Sequence, residues 1–245
     1  LAAMRQYGPL PSSGNDVAKQ RLEGSTPVFG HSIGYVQQVD VAEIQAFAEG
    51  SQTEVDVAAL AGTFAAPGRA LAYVNTTSGA PADIDVSRVE NAFHIGRNRT
   101  FNEDPRFGLI AMSESASRAL SPAVNDPGTA IDVIGTLVRL FAVWADPGQD
   151  HGPRPVLDRV ATPDLSLHDM FEDAFGAIAR DGAASVEVIV RLQKAFEALS
   201  SIQHPTMQDV AMKHARLTLA RAETALEFPT DLERVRQATR FALEN

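Results

Sequence analysis

The chemistry-bearing residues of this chain crowd into one stretch, Gly96 to Ala130. Its first half places Arg97, Arg99 and Arg106 around Asp104-Pro105; its second half runs Ser121-Pro122-Ala-Val-Asn125-Asp126-Pro127-Gly-Thr129. An acid before proline is a helix-start device: the carboxylate caps free amides, and proline fits the first helical position. Asp104-Pro105 and Asp126-Pro127 both use it. Ser121-Pro122 is a third such pair, and Asn125 suits an Asx turn. The pattern predicts two helices joined by a tight corner. Guanidinium forks match carboxylates bidentately, so Arg97 and Arg99 are expected to reach this corner and lock its angle. Glu114 and Arg118, four apart on one helix, add only ~0.2–0.5 kcal/mol.

Two functional alternatives use the same residues. Exposed helix starts beside Arg97 and Arg99 would attract a small anion, gripped at the Asn125-Asp126 corner. A catalytic reading makes His94 a general base oriented by Asp104 or Asp126. Other templates are missing: there is no Gly-x-Ser-x-Gly elbow, no His-Glu-x-x-His, no Gly-Lys-Ser/Thr phosphate loop and no Gly-x-Gly-x-x-Gly fingerprint. His168 and Glu172 have ligand-like spacing but sit at a predicted helix start, where solvation is the simpler role. His214 reads as a polar-face residue, and Met207 and Met212 as core. No cofactor and no metal is expected.

Composition narrows the partners. The chain has 245 residues, 44% hydrophobic and 21% charged, with 21 − 31 = −10 formal charges. Nucleic-acid binding and adsorption to anionic lipid are thereby disfavoured. Cysteine is absent, which excludes disulfides and thiolate sites. No run approaches ~18 uninterrupted apolar residues, and no signal peptide is visible. The chain opens on Leu1, so a processed form or a piece of a longer protein is expected.

These residues need elements to hold them. Residues 1–29 read as a tether, turn-rich at Tyr7 to Gly14 and with a short helix at Asp16 to Leu22. Residues 30–82 read as a small acidic β-rich, barrel-like module. Strands are expected at Ile33 to Val39, Thr53 to Val57 and Leu71 to Val74. A helix capped by Asp40 should end at Gly50, and a glycine-bracketed turn lies at Gly62 to Gly68. A Gly-x-Phe-x-x-x-Gly turn also occurs in cofactor-carrier barrels, but the three lysines, Lys19, Lys194 and Lys213, lie outside this module. Between Gly30 and Phe93, eight acids face two arginines, which suits solubility or a basic partner. Residues 83–245 read as a helical domain. A short helix at Ile84 to Asn91 and a strand at Phe93 to Ile95 precede helices at Phe107 to Leu120 and Pro127 to Ala145. A loop follows at Asp146 to Thr162. Further helices are expected at Leu167 to Arg180, Ala183 to Ile202 and Met207 to Glu227, and one more opened by a Thr230 to Glu233 capping box. Short breakers argue for a mostly antiparallel bundle. The fold class expected is α+β.

The stretches GRNRTFNEDPRFGL and RALSPAVNDPGTA resemble a bacterial predicted-membrane-protein family, domain of unknown function 2254. Ser32 to Asp40 is similar to its Ser-Gly-Tyr-Val-Gln-x-Ile-Asp element. Gly62 to Gly68 resembles a further segment, with Thr63 where Asp is usual. The resemblance implies hydrophobic spans ahead of this region, and hence a soluble C-terminal portion of an integral membrane protein, on the cytoplasmic side. It lends no catalytic residues. The expected role is a non-catalytic assembly or regulatory domain. The membrane-spanning part of its own parent chain, a second copy or a small anion would be its partner.

Overall fold

The structure is a computed structural model that describes residues 24–76, 84–146 and 157–244. Among them, two compact units form, one from residues 24–76, 84–107 and 157–164, the other from residues 108–146 and 165–244. The expected helix at Asp16 to Leu22, the turn at Tyr7 to Gly14 and most of the two longest loops lie outside the described residues.

The first unit is built on two sheets. One has the order β1-β5-β3-β7, with β1 at Thr26–Val28, β5 at Ala72–Thr76, β3 at Thr53–Val57 and β7 at Val160–Ala161. The other has the order β4-β2-β6, with β4 at Phe64–Ala65, β2 at Gly34–Val39 and β6 at Phe93–Gly96. The alternation that predicted β3 is realised: Thr53, Val55 and Val57 are buried, and Glu54 and Asp56 lie between them. Neither sheet closes, so the barrel-like expectation is corrected. Closure needs an unbroken ring of paired strands, and strands of two and three residues at the edges leave the ladders open. Three segments read as irregular are strands. Phe64–Ala65, inside the expected Gly62 to Gly68 turn, pairs with β2. Thr26–Val28, inside the expected tether, pairs with β5, and Val160–Ala161, inside an expected loop, lies parallel to β3. α2 (Ser87–Asn91) and β6 also belong to this unit, β6 pairing antiparallel with β2 from Tyr35↔Gly96 to Val39↔Phe93.

α1 (Val41–Ser51) covers the core of Val36, Ile44, Phe47, Val55, Leu71 and Phe93. Asp40 caps it as expected, its Oδ1 accepting from the Glu43 amide at 3.0 Å. The helix ends at Gln52, in the left-handed region at φ 51°, and not at Gly50. Gln45 on this helix secures the returning strand. Its amide donates to Asp158 Oδ1 at 2.5 Å and to Glu49 Oε1 at 2.8 Å, while its oxygen accepts from the Arg159 amide at 3.2 Å.

The second unit is helical. α3 (Pro105–Ala119) enters it from the first unit and leads to α4 (Pro127–Ala145). Beyond β7 come α5 (Leu167–Phe171), a π-helical turn at Glu172–Gly176, α6 (Ala177–Asp181), α7 (Val186–Ser200), α8 (Pro205–Ala225) and α9 (Pro229–Leu243). α4, α8 and α9 all pack on α7. α8 and α9 run antiparallel, tied by Arg216 Nε to the Ala242 carbonyl at 2.7 Å and by Arg236 to Glu223 at 2.8 Å. The helix expected through Arg180 is interrupted by the π turn; Arg221 donates to its Gly176 carbonyl at 3.0 Å. The Thr230 capping box does not form, because the helix already opens at Pro229. α4 has the length and composition to cross a membrane, although Asp132 and Arg139 interrupt it. Its apolar window is 39% buried within the structure.

His214 is not on a polar face but buried on α8, 7% exposed, between the rings of Phe171 and Phe196. Burial, with the charges of Lys213, Arg221 and His168, depresses its pKa from 6.5 to about 4. Above pH 6.5 the ring is neutral in both states. Below it the unfolded chain takes up a proton that the folded chain refuses until about pH 4. Stability is therefore expected to fall by about 3 kcal/mol between those values. His214→Leu should flatten this part of the profile in urea unfolding at pH 7 and pH 4.5. An unchanged slope would refute it.

Candidate functional site

Three separate sequence segments meet at one point of the first unit. The Val36 amide donates to the Thr63 carbonyl at 2.9 Å and the Gly62 amide to the Val36 carbonyl at 2.8 Å, which binds the Gly62 turn to β2. The chain leaving β6 is held there too. Gln37 Nε2 donates to the Asn98 carbonyl at 2.7 Å, and the Val39 amide donates to Glu103 Oε2 at 3.4 Å. That run ends at Asp104. Arg99 grips it with both arms of its fork, Nε to Oδ2 at 2.7 Å and Nη2 to Oδ1 at 2.9 Å. Asp104 Oδ1 also accepts from the Phe107 amide at 3.0 Å, capping α3 as its Asp-Pro pair predicts. The Asp104 side chain is 2% exposed and that of Arg99 20%. Gly62, at φ +89°, lies directly on this pair. The guanidinium also stands 5.2 Å from the Phe107 ring, which stacks on exposed Phe101 at 4.5 Å.

The residues singled out in the sequence therefore divide into two devices. Arg99 and Asp104 form the clasp at the start of α3. The corner expected to receive them, beyond the far end of α3, serves itself. The Ser121 carbonyl accepts from the Val124 and Asn125 amides at 3.0 and 2.8 Å. Asn125 takes the left-handed conformation at φ 48°. Asp126 caps α4, accepting from the Thr129 amide at 3.1 Å and its hydroxyl at 2.5 Å. Those two bonds, the hydroxyl foremost, hold the Asp126 carboxyl below the usual carboxylate range. Arg97 is exposed and Arg106 half-buried. The expected lock between the arginines and the Asn125-Asp126 corner is corrected for Arg99, whose fork is taken by Asp104.

His94 is exposed on β6, opposite Gln38. Of its two expected orienting acids, Asp104 is committed to Arg99 and to the start of α3, and Asp126 to Thr129. The acid that feels the His94 charge is Glu103, whose carboxyl is pushed up by burial and pulled back by the Val39 amide and His94. Sequence reasoning missed Glu103 and Gly62. The only local signal for Glu103 was its place beside Asp104. His168 is exposed, as read, and Met207 is buried.

In the second unit, Glu114, Ser117, Arg118, Leu120, Ser121, Pro122 and Asp181 line an open groove of ≈ 610 Å³. The Ser117 hydroxyl donates to Asp181. Hydrogen bonding from Arg180 keeps the Asp181 carboxyl ionised at lower pH than usual. Among the described residues, no three His, Asp or Glu side chains are grouped to hold a metal ion.

The chain belongs to the family described as predicted membrane protein (DUF2254), whose model matches residues 3–198. An uncharacterised protein of Mycobacterium tuberculosis is 38% identical over 124 residues, 49% of this chain and 24% of its own. An uncharacterised protein of Mycobacterium bovis is 37% identical over the same length and the same shares. The match thus spans about a quarter of these relatives. No solved structure matches the chain.

Proposed function

We propose that the chain is the extramembrane, non-catalytic assembly or regulatory portion of a bacterial membrane protein, on the cytoplasmic side. Its partner is the membrane-spanning part of its own parent chain. An antiparallel order of α4, α7, α8 and α9 in one bundle belongs to this reading. The observation that carries it is that the two acids at the signature's helix starts are spent internally. Asp104 has its oxygens filled by Arg99 and the Phe107 amide, and Asp126 by Thr129. Groups so committed hold geometry and have little left for a substrate.

Deleting this portion from an intact relative tests the role. The remaining spans should still insert, and the detergent-solubilised protein should lose oligomeric mass; unchanged mass refutes an assembly role. Melting of the 245-residue chain should not rise with phosphate or carboxylate anions. A rise abolished by Arg97→Ala would put the anion sensor in its place. Turnover lost in His94→Ala with folding intact would favour the enzyme.

A further inference from the structure

The groove at the end of α3 holds charges of both signs that stay unspent. Glu114 and Arg118 both line it, four apart on α3, so they share one face with about 5–6 Å between their Cβ atoms. Both are exposed, and among the described residues neither side chain has a hydrogen bond or an ion pair. The Ser121 hydroxyl, also in the groove, has no partner among those residues either. Asp181, in contrast, is fully engaged. Arg180 takes it with both arms of its fork, Nε to Oδ1 at 2.7 Å and Nη2 to Oδ2 at 3.1 Å, and the Ser117 hydroxyl donates to Oδ2. The Asp181 and Arg180 charges offset one another. One carboxylate, one guanidinium and one hydroxyl remain open to the groove. Leu120 and Pro122 supply its apolar wall. Leu120 is held from behind: its Cδ1 lies 3.3 Å from where a Cβ at Gly182 would stand, so it packs on the turn that follows α6.

We propose that this groove binds a small zwitterion, a free α-amino acid, with Arg118 on its carboxylate, Glu114 on its ammonium group, and Leu120 and Pro122 against its side chain. A volume of ≈ 610 Å³ is in the range of small-molecule sites, roughly 300–1,000 Å³. Charge selects the class of ligand. A simple anion drawn to Arg118 meets the Glu114 carboxylate one helical turn away. A metal ion finds Glu114 without the further acids or histidines that would complete its shell. A molecule with one charge of each sign satisfies both side chains at once. The guanidinium fork matches a carboxylate bidentately, and the Ser121 hydroxyl is free to donate to it as well. Glu114 and Arg118 give up little for such a ligand, because an exposed pair four apart on a helix is a weak one. The groove lies wholly within the second unit, and the inference does not depend on the role proposed above.

Melting of the 245-residue chain with each standard L-amino acid at millimolar concentration tests this, followed by calorimetric titration of the one with the largest effect. At least one should raise the melting temperature. Its N-acetyl form, which lacks the ammonium charge, and its amide, which lacks the carboxylate, should each bind roughly tenfold or more weakly. The same loss is expected for the amino acid itself with Glu114→Gln and with Arg118→Gln, whose side chains are exposed and carry no internal bonds. Ser121→Ala reports on the same groove should either variant not fold. No rise with any amino acid overturns the site. So does equal binding of the N-acetyl or amide form, or binding that survives both Glu114→Gln and Arg118→Gln. A rise with phosphoethanolamine and with no amino acid would also overturn it, and would give the groove to a lipid headgroup.

Discussion

Arg99→Ala is expected to lower the stability of the first unit by about 3–5 kcal/mol, the usual result of stranding one partner of a buried pair. The surviving Asp104 side chain, 2% exposed, would be left with only the Phe107 amide as a partner. The loss of the guanidinium from the Phe107 ring adds a smaller term. Melting of that unit should drop by roughly 10–20 °C. Arg99→Ala/Asp104→Ser should be milder than Arg99→Ala alone. Serine still caps the helix and leaves no ion in the interior. A double variant as unstable as the sum of its parts, or an Arg99→Ala melting curve that does not move, would show that the clasp is not what holds this point together.

Gly62→Ala should be nearly as damaging, for a different reason. At φ +89° any side chain is strained by roughly 1–2 kcal/mol. The added Cβ would also collide with Asp104 Oδ2 and stand 2.8 Å from its Cγ and 2.9 Å from Arg99 Nη2. Neither neighbour can step aside, because each is fixed by the other's hydrogen bonds. Overpacking of this kind adds about 1–3 kcal/mol. Gly68 supplies the comparison. It lies at φ +78°, and a methyl group added there would meet nothing within 4 Å, so Gly68→Ala should show backbone strain alone. The difference between the two variants in denaturant midpoint reads the contact directly. Equal losses would mean that the clasp yields.

The parts of this structure that follow from neighbours in sequence were legible. Asp40, Asp104 and Asp126 cap the helices they were expected to cap. Each bonds an amide three residues ahead, a relation that spacing alone specifies. The β3 alternation and the α4 span were legible in the same way. What escaped depends on distant pairing. β7 joins β3 across about a hundred residues through two backbone positions, and two residues carry too short a pattern to read. The clasp was half visible. Arg99 and Asp104 were both named, but Gly62 enters only because Val36 exchanges hydrogen bonds with its turn. His214 was misread because its own helix says nothing of Phe171 and Phe196 packed against it.

β7 also bears on how the chain is made. The sheet of the first unit needs Val160 and Ala161, which follow α3 and α4 in the chain. A nascent chain therefore builds two helices of the second unit while the outer edge of β3 still waits for its last strand. For that interval Val55 and Asp56 present unsatisfied backbone groups to their surroundings, a template for wrong pairing. Gln45, set on α1 well before, stands ready to receive Asp158 and Arg159 as they emerge, so the closing step is guided by a side chain already in place.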